Sequence, residues 1–124
     1  MSIVHNWEKN GLYIQYLDHV TGEDMLDDAL VVSGDPRFDN MRYVISDWTQ
    51  ATTTAIDTHH IHQLVAYVKA MARSNPKVKN ATVMYDDEDR KAMVALYGLL
   101  ADDTPWKIDF FNTLEEARSW VAAE

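Results

Sequence analysis

The sequence predicts one α/β domain spanning residues 1–124, with the element order ββαβαβαβα and a mixed, largely parallel sheet. Three observations lead there. An opening pair of strand-like runs is followed by β-rich runs that alternate with runs of helical periodicity, the pattern of parallel strands joined by right-handed helical crossovers. The 124 residues suffice for one hydrophobic core but not two. A hydrophobic fraction of 47% and a charged fraction of 25% are those of a globular chain, and no repeat, linker or low-complexity segment interrupts it.

Ile3–Lys9 and Leu12–Val20 read as two strands joined through Asn10–Gly11, a pair suited to the positive φ angles of a tight hairpin. "TGED" at 21–24 resembles a capping box, and the helix behind it places Leu26, Ala29, Leu30 and Ser33 on one face before Gly34 and Asp35–Pro36 stop it. "MRYVISDW", 41–48, is almost continuously apolar, as expected of a central strand covered on both faces. A second helix runs from Thr58 to about Ser74, with Ile61, Leu64, Val65, Val68 and Ala72 as its buried stripe and Asn75–Pro76 as its end. "ATVMY", 81–85, is the next strand, and 87–101 a third helix with Met93, Leu96, Tyr97 and Leu100 inward. "WKIDFF", 106–111, alternates as a strand near an edge does. "TLEEARSWV", 113–121, opens on a second capping box, Thr113 to Glu116, and turns Leu114, Ala117 and Val121 inward.

The chain has no cysteine, which removes disulfides, thiolate nucleophiles and cysteine-ligated zinc and suits a reducing cytoplasm. The net charge of −9, with no cluster of basic residues, argues against nucleic acid and against anionic lipid surfaces. No signal peptide is visible at "MSIVHNWEKNG", and no apolar run approaches the roughly 20 residues needed to span a bilayer.

The element order, with "RYVISDWTQATTTAIDTHHIHQL" at its centre, resembles the SpoIIAA-like (STAS) fold. In that family an Asp-Ser-Ser/Thr-Gly motif opens the second helix. Asp57 and Thr58 match its first two positions in kind; His59 stands where the phosphorylated hydroxyl would be and His60 where the glycine would be. The resemblance therefore implies the architecture, while the departure at His59 puts a phosphorylation switch in doubt. Trp7-Glu8 with Gly11-Leu12-Tyr13, "GDPRF" at 34–38, Asp47-Trp48 and "TLEEARSW" at 113–120 extend the resemblance, over nearly the whole chain, to bacterial proteins of this fold.

Three groups of residues could carry chemistry. His59 and His62, one turn apart, could share a metal, but no third ligand is signalled and the bland reading is a solvated helix start capped by Asp57. Asp47, Asp86 and Asp87 fall at the expected C-terminal ends of two parallel strands, where open sheets place ligands; they could form an Mg²⁺-dependent phosphoacceptor pocket, or simply begin a helix. The third helix carries Val94, Ala95 and Leu99 outside its inner stripe, which calls for a covering partner, a second copy or an apolar ligand unless these are isolated exposed side chains. No GxSxG, Walker loop, dinucleotide fingerprint or His-Glu-x-x-His occurs.

The sequence thus points to a non-enzymatic cytoplasmic protein, without metal or cofactor, that docks a protein partner or an apolar small molecule. Trp48, Tyr67, Val94 and Leu99 are its expected contacts, and a homodimer or an apolar pocket roofed by the third helix, with Tyr67 close by, is the expected form. Phosphoryl transfer at Asp47, Asp86 and Asp87 is the alternative.

Overall fold

The computed structural model describes residues 2–85 and 87–123. Strands β1 (Ile3–Glu8) and β2 (Gly11–Thr21) lead into helix α1 (Gly22–Gly34) and a 3-10 turn (Pro36–Asn40). Then follow β3 (Tyr43–Ala55), α2 (Thr58–Ser74), β4 (Lys79–Val83), α3 (Glu88–Leu100), β5 (Lys107–Phe111) and α4 (Leu114–Ala122). The strands lie in sequence order in one sheet, with β1 antiparallel to β2 and every other pair parallel. The expected element order is the observed one, and β5 is an edge strand.

Alternation along the strands divides the core in two. Leu12, Ile14, Tyr16 and Val44 face the side covered by α1, α2 and α3. Ile45, Ala81 and Val83 face α4, where Ala117 is fully buried against them. The Thr21–Asp24 capping box closes with both bonds at 3.0 Å. At the start of α4, Thr113 Oγ1 likewise accepts from the Glu116 N–H at 3.2 Å.

Four sequence expectations are corrected. At the hairpin only Asn10 takes a positive φ, 65°; Gly11 already belongs to β2 and is needed for another reason. The Tyr43 ring lies on its α-carbon, so that an added Cβ would come within 2.1 Å of the ring. In α1 Leu26 and Ala29 are buried as expected, but the stripe runs on through Met25, Asp28 and Val32 at helical spacing and leaves Leu30 53% exposed. Strand β3 runs seven residues past Trp48: its Thr-rich second half pairs with the second half of β2 beyond irregularities after Gln15 and Asp18. Finally, β4 starts at Lys79 rather than 81, its polar first residues being satisfied when Asn80 accepts the Tyr97 hydroxyl at 2.7 Å and Lys79 donates to the Trp120 carbonyl at 3.0 Å. Among the described residues no helix is long and apolar enough to cross a membrane.

Candidate functional site

A cavity of about 400 Å³ lies between the sheet and the three helices on its first face. Its floor comes from alternate positions of β2, β3 and β4, and its walls from Ala29 and Val32 of α1, Ile61 and Val68 of α2, and Met93 and Val94 of α3. Its volume lies within the range of small-molecule sites. Exposed Thr54, Asp89 and Ala92 border it between the end of β3 and the start of α3. Arg90 ties that start down, donating to the Trp48 carbonyl at 3.0 Å and also to the Ala51 carbonyl.

Methionine is the distinguishing component. Met25, Met41, Met71, Met84 and Met93 all line the cavity, so every methionine of the chain beyond the first residue is found there. Unbranched thioethers adapt their shape to irregular apolar contents, which suits a surface that must accept a guest. Trp48 lies flat on Tyr16, ring centroids 3.9 Å apart and planes 4° from parallel, to form an aromatic panel in the wall.

A small polar group interrupts this lining. Asp28, 7% exposed, pairs with the His5 imidazole through Oδ1. Its Oδ2 lies 3.4 Å from the hydroxyl of the buried Tyr16, long for a bond between oxygens. Burial raises the Asp28 carboxyl above its ordinary value, an effect that His5 opposes, and burial raises the Tyr16 phenol far above its own. Neither Asp28 nor its role stood out in the sequence; the available signal was a charged residue on the face of α1 that also carries Met25 and Val32.

The residues singled out from the sequence fall into separate places. Trp48 and Val94 line the cavity. Tyr67 does not adjoin it; it borders a second, smaller depression of about 300 Å³ with Leu30 of α1, Phe38 and Met71. Leu99 is 74% exposed on the outside of α3.

At the start of α2, Asp57, Thr58 and His59 are exposed, whereas His60 is buried. The Asp57 N–H donates to His60 Nδ1 at 3.0 Å, and His60 Nε2 lies 2.8 Å from Glu23 Oε2. The Asp57 carboxylate turns toward the His60 N–H without forming a side-chain capping hydrogen bond. Asp57, His59 and His60 bring potential ligand atoms within 4.8 Å of one another. The lone pair on His60 Nδ1 already receives a backbone proton, so a metal there would displace the contact that starts the helix. His62, exposed, lies outside this group.

The acidic residues are engaged locally. Asp47 lies inside β3, not at its end, on the α4 side. It accepts from the Tyr13 hydroxyl at 2.6 Å and from the Thr49 hydroxyl and N–H at 2.7 and 2.9 Å. Burial, then the bonded Asp47, pushes the Tyr13 phenol up to about 12. Asp87 caps α3 through the N–H groups of Asp89 and Arg90. Asp86 lies outside the described residues. With Asp47 and Asp87 so engaged, a phosphoacceptor pocket is not favoured.

No family model and no curated protein matches the chain. Solved structures do match, two of them as follows. The anti-sigma factor antagonist SpoIIAA in its unphosphorylated form is 11% identical, with a TM-score of 0.61 over 98% of this chain and 99% of that one. An uncharacterized protein of the DUF3478 family with a SpoIIAA-like fold, from Shewanella loihica PV-4, is 16% identical, with a TM-score of 0.51 over 96% of this chain and 91% of that one. At these identities the likeness concerns architecture, and the chain has the SpoIIAA-like fold.

Proposed function

We propose that this protein is a non-enzymatic binding protein that holds an apolar small molecule between its sheet and helices α1–α3. The observation that carries this reading is the 400 Å³ cavity with its methionine and aromatic walls. A guest in so apolar a space gains dispersion contacts with walls that can adapt to it. The absence of cysteine and the acidic surface suit work in the cytoplasm. Leu99, outside the cavity, is the residue through which a second copy or a protein partner would dock.

The test uses a neutral apolar dye, N-phenyl-1-naphthylamine. Fluorescence should rise on mixing with the delipidated protein, and Met93→Trp, which fills the cavity, should abolish the rise while leaving a cooperative melt. A protein that neither binds the dye nor carries a co-purifying apolar molecule in native mass spectrometry would overturn the reading.

A further inference from the structure

We infer that the cavity selects an apolar molecule whose polar end donates a hydrogen bond and carries no negative charge, an alcohol head rather than a carboxylate, and that Asp28 is the residue that reads it. This rests on the cavity reading above.

The geometry is specific. Asp28 lines the cavity and is almost fully buried. One of its oxygens is committed to His5, and the other is 3.4 Å from Tyr16, its remaining partner. A short, strong bond from a guest hydroxyl to that second oxygen would improve on the long contact present now. The Tyr16 phenol, bonded to Ser46, borders the same space, so a guest hydroxyl at Asp28 would sit among polar atoms. A carboxylate guest meets the opposite conditions. It would bring a second negative charge next to Asp28 in a weakly screened interior, with His5 already paired to the first. Arg90, the cation among the lining residues, lies at the border and donates to two backbone carbonyls.

The three-way comparison uses probes of one chain length: 1-dodecanol, which donates and is neutral; methyl dodecanoate, which is neutral but only accepts; and dodecanoate, which is charged. Each is titrated at pH 8, below its aggregation limit, as a competitor of the bound dye. The expected order is dodecanol, then methyl ester, then carboxylate, with dodecanol about tenfold tighter than the carboxylate, as a charge-assisted hydrogen bond implies. Asp28→Asn should compress that ratio to about threefold or less, because the amide neither repels a carboxylate nor accepts as strongly. If Asp28→Asn fails to fold, the same comparison on Asp28→Ser decides the proposal, and an unchanged ratio in either variant overturns it. Equal affinity for all three probes overturns it while leaving the cavity reading intact. Preference for dodecanoate, lost in Arg90→Gln, would place the head at the border and overturns it too. Absence of binding by the dye and all three probes defeats both readings together.

Discussion

The backbone N–H of Asp57 donates to the Nδ1 of His60 at 3.0 Å, so a histidine supplies the hydrogen-bonded half of the capping box that starts α2. Accepting at Nδ1 fixes the neutral ring in its Nε2–H tautomer, and that proton points at Glu23 across the junction with α1. The ring lies on the α-carbon of Gly22, where an added Cβ would come within 2.2 Å of it. We expect Gly22→Ala to cost about 1–3 kcal/mol in the wild-type chain and much less in a His60→Ala background. Urea denaturation of the four proteins measures the coupling; additive costs would show that the ring is not what Gly22 accommodates. Asp57→Ala, by contrast, should cost no more than about 0.5 kcal/mol, since the backbone contact remains.

Glu8 and Arg118 join β1 to α4 through two bonds of 2.7 Å, 110 residues apart in sequence. The guanidinium holds the Glu8 carboxyl below its ordinary value, with burial opposing and the Tyr43 hydroxyl assisting. A depressed carboxyl stabilises the fold above its unfolded pKa, and that contribution is lost as pH falls through the folded value. Glu8→Gln should therefore lower the melting temperature at neutral pH, with a coupling to Arg118 of about 1 kcal/mol for this half-exposed pair. Melts from pH 7 downward should show the difference closing below about pH 4.

Asp28 carries the opposite sign. Its folded carboxyl is raised, so wild-type stability falls as pH rises from the ordinary carboxylate range through the raised value. Asp28→Asn is expected to escape that loss and to be at least as stable as wild type at neutral pH, even as its ligand selectivity declines. Chemical denaturation at a series of pH values is the measurement, and a variant much weaker than wild type at every pH would mean that the bond to His5 outweighs the burial of charge.

Leu99→Glu should leave dye binding unchanged, because the side chain is exposed and lines no described cavity. Light scattering of the same pair reads the dimer: a wild-type dimer that becomes monomeric in Leu99→Glu would establish the outer side of α3 as its interface.

Periodicity made the order of strands and helices legible, since an apolar stripe every three or four residues leaves little choice of element. It placed α2 to the residue, because Asp57 and Asn75–Pro76 bracket a long amphipathic run. It ended β3 too early because "TQATTTA" lacks apolar alternation; those residues are held by pairing with β2, a distant partner whose register is not written locally. The cavity was still less visible. Residues such as Val68 and Met93 that border a cavity are chemically the same as residues that fill a core, and only the spacing of the helices above the sheet separates the two. Asp28 was missed because a solvated aspartate and a buried one read alike until His5 and Tyr16 are brought beside it.

The confinement of methionine to one place turns the protein into its own reporter. With methyl groups of methionine isotopically labelled, the signals from Met25, Met41, Met84 and Met93 arise from the cavity wall, and that of Met71 from the wall it shares with the second depression. A titrated molecule that enters should shift these resonances together, and one that sits on the outer side of α3 should leave them largely in place.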